Sequence, residues 1–578
     1  MSKKQVNEFV PKWVDKVASP DSYRSISRWG DPNFFKFPKS GLYNYMKKRL
    51  NLTDEDFKEY HNDLGFDKVE IKIPTKLKKE NIDDLIKLVG TNEFSINEYD
   101  RLAVMYGKTL YDIMRIREHR YESVPDAVIF PSSTKEIEDI VKYCQDNLIP
   151  LYVYGGGSSV TRGVEPILGG ISLDLRKNFN KVLGFNEIDQ TITVESGMSG
   201  PQLENHLNNA IEEFKAKRAY TCGHFPQSFE YSSVGGWTVT RGAGQNSTYY
   251  GCISDIVLSQ KYATPIGKVV TSHYPREATG PNLNQIMMGS EGAFGVLTEV
   301  TLKVFRYMPD NRKRFSYMFH TWEDAQNAAR EIMQSECGYP SAFRVSDAEE
   351  TDMMLSLYNV DDSPLRFFLK GYEPNKRSLM LGFTEGEISL SKSVRACVSR
   401  VARKYHARSL TGMVCKSWEK GRFNDPYLRD TLMDFGVCTD TLECTVNWSN
   451  MEEVHEKVRA VCHARPDTVV TTHLSHAYPQ GANLYFIFLT HCEKADDFKK
   501  YHATILDAIQ ASGAAVSHHH GIGKMFAPWL EGYIGRTEYG TFKVLKNYFD
   551  KDNIMNPGGT IGLDLKEEEK KFLNPDRK

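Results

Sequence analysis

The chain carries three consecutive imidazoles, His518-His519-His520, leading into Gly521-Ile522-Gly523-Lys524. Histidine changes charge near neutral pH more readily than any other side chain, so such a cluster can hold, move or share a proton. Imidazoles are costly to bury for packing alone, and glycine lets the backbone approach another group closely. A solvated histidine run and a metal tract are competing readings of the same residues. Neighbouring positions rarely all face one cavity, which ranks His519 and His520 ahead of His518 as reacting groups.

A second chemistry, the binding of a pyrophosphate, is offered by Gly155-Gly156-Gly157-Ser158-Ser159. Successive backbone N–H groups with hydroxyls beside them form a nest for an anion. Three glycines alone read equally well as a tight turn, and their spacing matches neither the dinucleotide fingerprint nor the lysine-bearing phosphate loop. Two later segments, Thr221–Gly244 and Gly289–Glu299, again join small residues to hydroxyls, as a backbone lying against a flat cofactor requires.

These groups need a scaffold. Ala127–Phe130 reads as a buried strand, and Ser133-Thr134-Lys135-Glu136 as a capping box. Ile137, Ile140, Val141 and Cys144 follow helical spacing, and Leu151–Tyr154 is a second strand running into the glycines. The pattern is β-α-β ending in a glycine-rich loop. Thr191–Glu195 and Leu297–Phe305 read as further strands, and Ala263–Val270 as a turn and strand. Beyond residue 308, Trp322–Met333 and Lys392–Tyr405 read as helices, and Leu442–Val446 and Leu484–Leu489 as strands. The first 120 residues are polar and mixed, with a charged stretch at Lys76–Lys87 and a helical one at Asp100–Arg120; they read as an arm, a small helical domain or a dimer contact.

Composition narrows the function classes. With 578 residues the chain can build more than one core. A net charge of -2 gives no reason to expect a nucleic acid partner. The 10 cysteines are scattered without a Cys-x-x-Cys pair, which reads as reduced thiols rather than a disulfide framework or zinc site. No apolar run is long enough to span a bilayer, and neither end reads as a signal peptide or a Ser-Lys-Leu address. Lys566–Lys571 reads as a solvated charge run.

Taken in order, the three glycine-containing segments resemble the FAD-binding domain of the vanillyl-alcohol oxidase (PCMH-type) flavoprotein family, over roughly residues 121–307. The resemblance implies that FAD is held by Val153-Tyr154-Gly155-Gly156-Gly157-Ser158-Ser159, by Gln227-Ser228-Phe229-Glu230-Tyr231-Ser232-Ser233, by Thr240-Arg241-Gly242-Ala243 and by Glu291-Gly292-Ala293-Phe294-Gly295-Val296-Leu297. Several relatives attach FAD through a histidine of the first loop. Here Ser158 and Ser159 stand there, so non-covalent FAD is expected.

Two branches of that family compete. Flavin-dependent 2-hydroxyacid dehydrogenases carry Asn-Leu-His and Glu-His-Gly segments around a metal. This chain has Asn483-Leu484-Tyr485 and His519-His520-Gly521, so a carboxylate and a ligand are lost, which argues against a hard divalent ion. No metal is expected, with His473 and His476 kept as the alternative ligands. The same substitutions resemble the ether-lipid-forming branch, from about Asp112 to Pro557. That resemblance implies Tyr485, His518, His519 and His520 as catalytic residues, and Arg429 and Arg344 as substrate-binding residues. Read without it, Tyr485 is an ordinary strand residue and the arginines are surface ion pairs.

The ether-lipid branch replaces the acyl group of acyl-dihydroxyacetone phosphate with a long-chain fatty alcohol, using FAD as a trap without net oxidation. The resemblance therefore implies an apolar tunnel, peripheral contact with a membrane surface, a homodimer and a peroxisomal location. The alternative functions are a 2-hydroxyacid dehydrogenase and a flavin-fold scaffold without catalysis. The expected fold is α+β: an N-terminal helical extension over 1–120, a two-subdomain PCMH-type FAD-binding domain over 121–307, an α+β cap over 308–520, and a return to the FAD domain over 521–578.

Overall fold

The helix Thr134–Asn147 forms where the spacing places it, with Ile137, Ile140, Val141 and Cys144 buried. Its start differs in one detail from the expected capping box. Ser133 Oγ accepts the Glu136 N–H, but the Glu136 carboxylate reaches one residue further back and takes the N–H and hydroxyl of Ser132, at 2.8 and 2.7 Å. The computed structural model describes residues 11–61, 63–357, 360, 364–562 and 565. The charge run Lys566–Lys571 and both chain ends lie outside them.

Two compact units emerge. One comprises residues 68–244, 250–307 and 517–578; the other comprises the first 67 residues, 245–249 and 308–516. The stretch 1–120, expected as one extension, is thus shared between them, and the return to the first unit begins at Ser517.

The first unit holds two larger sheets and a two-stranded one, Phe305–Arg306 with Tyr220–Thr221. Phe94–Ser95, Ala127–Ile129, Ile171–Asp174 and Leu151–Tyr154 form a four-stranded sheet whose last three strands are parallel. Parallel strands need a crossover, and the helix Thr134–Asn147 supplies it. Its buried face joins Leu85, Ile129, Leu151, Ile171, Leu173 and Met555 in one core. The second sheet is antiparallel, in the order Val182–Asn186, Thr191–Glu195, Val296–Lys303, Val257–Thr264, Gly267–Val270. The single turn-and-strand expected at Ala263–Val270 is a hairpin between its last two strands.

The second unit is built on a seven-stranded antiparallel sheet: Arg408–Ser409, Lys313–Phe319, Ser378–Thr384, Ala342–Ser346, Val469–Ser475, Gly481–His491, Val437–Asn447. The helices Trp322–Met333, Ile388–Lys404, Met451–His463 and Ala495–Ala511 accompany it. The N-terminal residues belong to its core. Trp13, Leu42, Met46, Leu50 and Phe57 are buried with Leu432, Phe435, Val437 and Val469. Each such side chain contributes about 1.5–3 kcal/mol of apolar burial, so this segment is structural. Buried charges reinforce it, since Arg24 and Arg28 both reach Asp434 Oδ2, at 3.3 and 2.8 Å. The α+β class expected from the sequence is observed in both units.

Candidate active site

Within the first unit the four segments assigned to FAD converge. Gly156 sits so close to the carbonyl of Tyr231 and Cα of Ser232 that a β-carbon would overlap both, and Gly155 faces the Ser233 hydroxyl in the same way. Gly157 has φ +68°, a left-handed conformation that side-chain-bearing residues avoid. A Cβ at Gly292 would lie 3.9 Å from Val153 Cγ2, and the Glu291 N–H donates to Val239 O at 3.0 Å, beside Thr240.

The hydroxyls here are committed to holding the backbone. Ser159 Oγ accepts the Gly163 N–H at 2.9 Å, and its carbonyl accepts the Lys108 N–H at 2.7 Å. Ser228 O accepts the N–H groups of Tyr231 and Ser232, both at 2.9 Å, and Ser232 Oγ takes the Trp237 indole N–H at 2.6 Å. Ser233 caps the helix Val234–Val239.

Four non-glycine residues around this centre adopt positive φ: Arg162 (60°), Arg241 (54°), Glu291 (49°) and Asn556 (41°). Each costs of the order of 1–3 kcal/mol and persists because the surroundings over-determine it, a pattern that clusters at functional sites. A buried ionic array holds the segment after the glycine loop: Arg115 pairs with Asp112 at 2.6 Å and with Glu165 at 2.8 Å, and Arg162 pairs with Glu165 at 2.5 Å.

The histidine segment joins the same centre. The Glu291 carboxylate accepts the Ile522 and Gly523 N–H groups, each at 2.7 Å. Burial raises the Glu291 pKa, and those two N–H groups oppose the rise. His518, His519 and His520 lie on bends rather than in a strand, so they need not alternate between faces. Their rings pack edge to face, with centroids 5.3 and 4.7 Å apart, and His518 Nδ1 lies 3.0 Å from His519 Nδ1. His518 is therefore coupled directly to His519.

Two residues of this unit were missed as functional groups. Lys524 is fully buried, 2.8 Å from Asn556 Oδ1 and 3.3 Å from Gly163 O, and burial lowers its pKa to about 7. It was visible as the lysine that ends the His-Gly segment. His224 is buried against Trp237, ring centroids 4.7 Å apart, and neither ring nitrogen has a hydrogen-bond partner among the described residues. Burial lowers its pKa to about 3, so the ring is neutral. Glycines that admit no β-carbon, strained turns and an orphaned neutral imidazole beside Gly242 are what a flat, phosphate-bearing cofactor would complete, so the residues fit FAD.

In the second unit, Tyr485 lies on the strand Gly481–His491, paired in register with His473 on one side and Glu443 on the other. Its hydroxyl is 3.1 Å from Thr441 Oγ1, and its ring stacks on His473 with centroids 5.0 Å apart. His473 Nδ1 lies 3.0 Å from Glu350 Oε1, the atom that also pairs with Arg344 Nη2 at 2.6 Å. Burial alone would raise the Glu350 pKa, but Arg344 and His473 hold it at about 2. The ionised carboxylate only accepts, so the neutral His473 donates its Nδ1–H. Burial, then Arg344, lowers the His473 pKa.

One reading changes here. Arg344 and Arg429 are not surface pairs: their carboxylate partners, Glu350 and Asp430, are 1% and 3% exposed. The phenol of Tyr485 is pushed up by burial first, with Glu443 and Asp440 adding to the rise and the Thr441 hydrogen bond and Arg344 opposing it. Arg429 donates Nε and Nη2 to Asp430 Oδ1, at 3.1 and 3.0 Å, while the Trp29 N–H donates to Asp430 Oδ2 at 2.5 Å. His476 Nδ1 lies 2.8 Å from Ser247 Oγ.

Comparisons with known proteins agree with a cradle for FAD. Residues 125–273 match the family described as FAD binding domain, and residues 308–560 match that described as FAD linked oxidases, C-terminal domain. A protein of Dictyostelium discoideum named alkyldihydroxyacetonephosphate synthase is 29% identical over 566 residues, covering 93% of this chain and 90% of its own. One of the same name from Caenorhabditis elegans is 26% identical, covering 94% and 97%. A solved alkyldihydroxyacetonephosphate synthase structure superposes with a TM-score of 0.79 at 25% identity, over 93% of this chain and 99% of that one.

Proposed function

The chain belongs to the FAD-linked oxidase family, and from that premise we propose that it is an alkyldihydroxyacetonephosphate synthase. It exchanges the acyl group of 1-acyl-dihydroxyacetone phosphate for a long-chain fatty alcohol, releases a fatty acid, and forms the ether bond of ether lipids. FAD, when bound, would supply an electron-accepting centre for an exchange without net oxidation.

The protein's own groups perform the remaining work. The C–O bond that breaks lies next to a ketone, so a proton must leave the adjacent carbon and later return. Tyr485 is the proposed proton-transfer group, with Arg344 the cation that opposes the rise of its pKa. His519 and His520 are the proposed partners in proton movement, with His518 bonded behind them. Arg429, oriented by Asp430, is the proposed contact for an anionic group, where a planar guanidinium fork gives direction that lysine lacks.

The observation that carries this reading is the Arg344–Glu350–His473–Tyr485 array. In it the phenol, which stands at the sequence position of a histidine in the hydroxyacid-dehydrogenase pattern, stacks on a carboxylate-bound imidazole. Peripheral membrane contact, a homodimer and a peroxisomal location are parts of the same proposal; no helix among the described residues is long and apolar enough to cross a membrane. The test is product analysis after incubation with palmitoyl-dihydroxyacetone phosphate and hexadecanol. Hexadecyl-dihydroxyacetone phosphate and palmitic acid in equal amounts support the proposal, and a 2-oxo acid formed from a 2-hydroxy acid favours the dehydrogenase.

A further inference from the structure

Of the cysteines, Cys252 and Cys337 are the partly exposed ones among the described residues. Cys337 occupies a turn after the helix Trp322–Met333, between two left-handed residues, Glu336 (φ 56°) and Gly338 (φ 88°). The turn lies on the helix Ile388–Lys404: a β-carbon at Gly338 would come within 2.9 Å of Val394 Cγ2, one turn before the buried Cys397 on that helix. Both sulfurs contact one guanidinium nitrogen. Arg400 Nη2 is 3.6 Å from Cys337 Sγ and 3.4 Å from Cys397 Sγ, and the two thiols hydrogen-bond to each other. Ser335 Oγ meets Cys397 Sγ at 3.4 Å and the Cys337 N–H at 3.4 Å.

We propose that Cys337 and Cys397 form a dithiol modification site at which Cys337 reacts with hydroperoxides and Cys397 resolves the product to a disulfide. The Cys337 sulfur attacks the O–O bond of ROOH, ROH leaves with a proton, and Cys337 becomes a sulfenic acid. Cys397 sulfur then displaces water from it, so two thiols and one hydroperoxide give one disulfide, ROH and water. The division of labour follows from the surroundings. The Cys337 pKa is lowered by the hydrogen bonds from Cys397 and Ser335 and by Arg400, whereas burial raises that of Cys397. Thiolate character and access select the attacker.

Cys337 is itself partly exposed, and a surface cleft of about 390 Å³ shares Ser335 and Arg400 with the pair. A second sulfur pair, Cys438 and Cys492, is buried and supplies the internal control. Its two residues are 4% and 3% exposed.

The test treats the native FAD-loaded protein at pH 7 with one equivalent of hydrogen peroxide, alkylates it in denaturant and maps peptides by mass spectrometry. The expected result is a Cys337–Cys397 cross-linked peptide, lighter by two hydrogen atoms and lost on reduction. Cys397→Ser should stop at a dimedone-trapped sulfenic acid on Cys337. Arg400→Gln should slow Cys337 alkylation at pH 7, roughly tenfold for each pKa unit of thiolate stabilisation it removes. The proposal is overturned if Cys252 oxidises first, if cross-linking goes to Cys438–Cys492, or if Cys337 alkylates at an unchanged rate in Arg400→Gln.

Discussion

His473 lies face to face with Tyr485, rings 5.0 Å apart and inclined by 23°, on neighbouring antiparallel strands that place the two residues in register. The relationship ties the phenol to charge it does not touch, because Glu350 Oε1 binds both His473 and Arg344. Removing the carboxylate leaves a buried guanidinium and an imidazole without their anion.

Glu350→Gln tests that array. The folded pKa of Glu350, about 2, is depressed below an unfolded value of about 4.3. Its contribution is therefore fully present above pH ~4.3 and disappears as pH falls through the folded value. The variant should lose on the order of 3 kcal/mol at pH 7, and the gap from the unaltered protein should shrink toward pH 2. Urea unfolding at several pH values measures it, and a gap that is constant with pH would remove the ionised pair from the account.

Asp430 fixes Arg429 while the Trp29 N–H fixes Asp430. Charge-assisted hydrogen bonds of this kind contribute about 1.5–3 kcal/mol, or roughly 10–150-fold in a rate or binding constant. Arg429→Lys should lose activity on that scale and keep its FAD. Asp430→Asn should raise the KM for acyl-dihydroxyacetone phosphate by at least about tenfold, the lower end of that range. Steady-state kinetics with flavin content measured in parallel checks both, and unchanged constants would return Arg429 to a structural role.

Gly156→Ala would press a methyl group into the Tyr231 carbonyl. The backbone there has to move away, and the cofactor cradle moves with it. The expected outcome is a folded protein that loses FAD on gel filtration, read as the ratio of flavin to protein absorbance. Full retention of FAD would place the cofactor away from this loop.

Ser158 and Ser159 supply no ring nitrogen for a covalent link, and Ser159 is bonded to Gly163 and Gly107's neighbour Lys108. Acid precipitation should therefore release yellow FAD into the supernatant. A yellow pellet would contradict non-covalent binding.

The sequence revealed local features well and long-range ones poorly. The glycine loop, the helix Thr134–Asn147 and the strands around Tyr485 follow from spacing, because periodicity reports local burial. The N-terminal residues gave no such signal: Trp13, Tyr43 and Phe57 are scattered among polar residues, and their partners Leu432 and Phe435 lie hundreds of positions away. Asp100–Arg120, expected as one helix, is two, Glu98–Ala103 and Leu110–Arg117, the second capped by Thr109. Glu350 was missed because its role depends on a helix that follows the Arg344 strand and carries the carboxylate back to it. Lys524 was in plain view, but only burial distinguishes it from a surface lysine.

The central claim is exchange without net oxidation, and stoichiometry under anaerobic conditions tests it most directly. FAD-loaded protein would be incubated with acyl-dihydroxyacetone phosphate and labelled hexadecanol, with chelator present and no electron acceptor, while the flavin spectrum is followed. The account predicts one fatty acid released per labelled alkyl group incorporated, oxidised flavin absorbance equal before and after, and no incorporation by Tyr485→Phe with its FAD retained. Incorporation that requires an acceptor, or that persists at full rate in Tyr485→Phe, would contradict it.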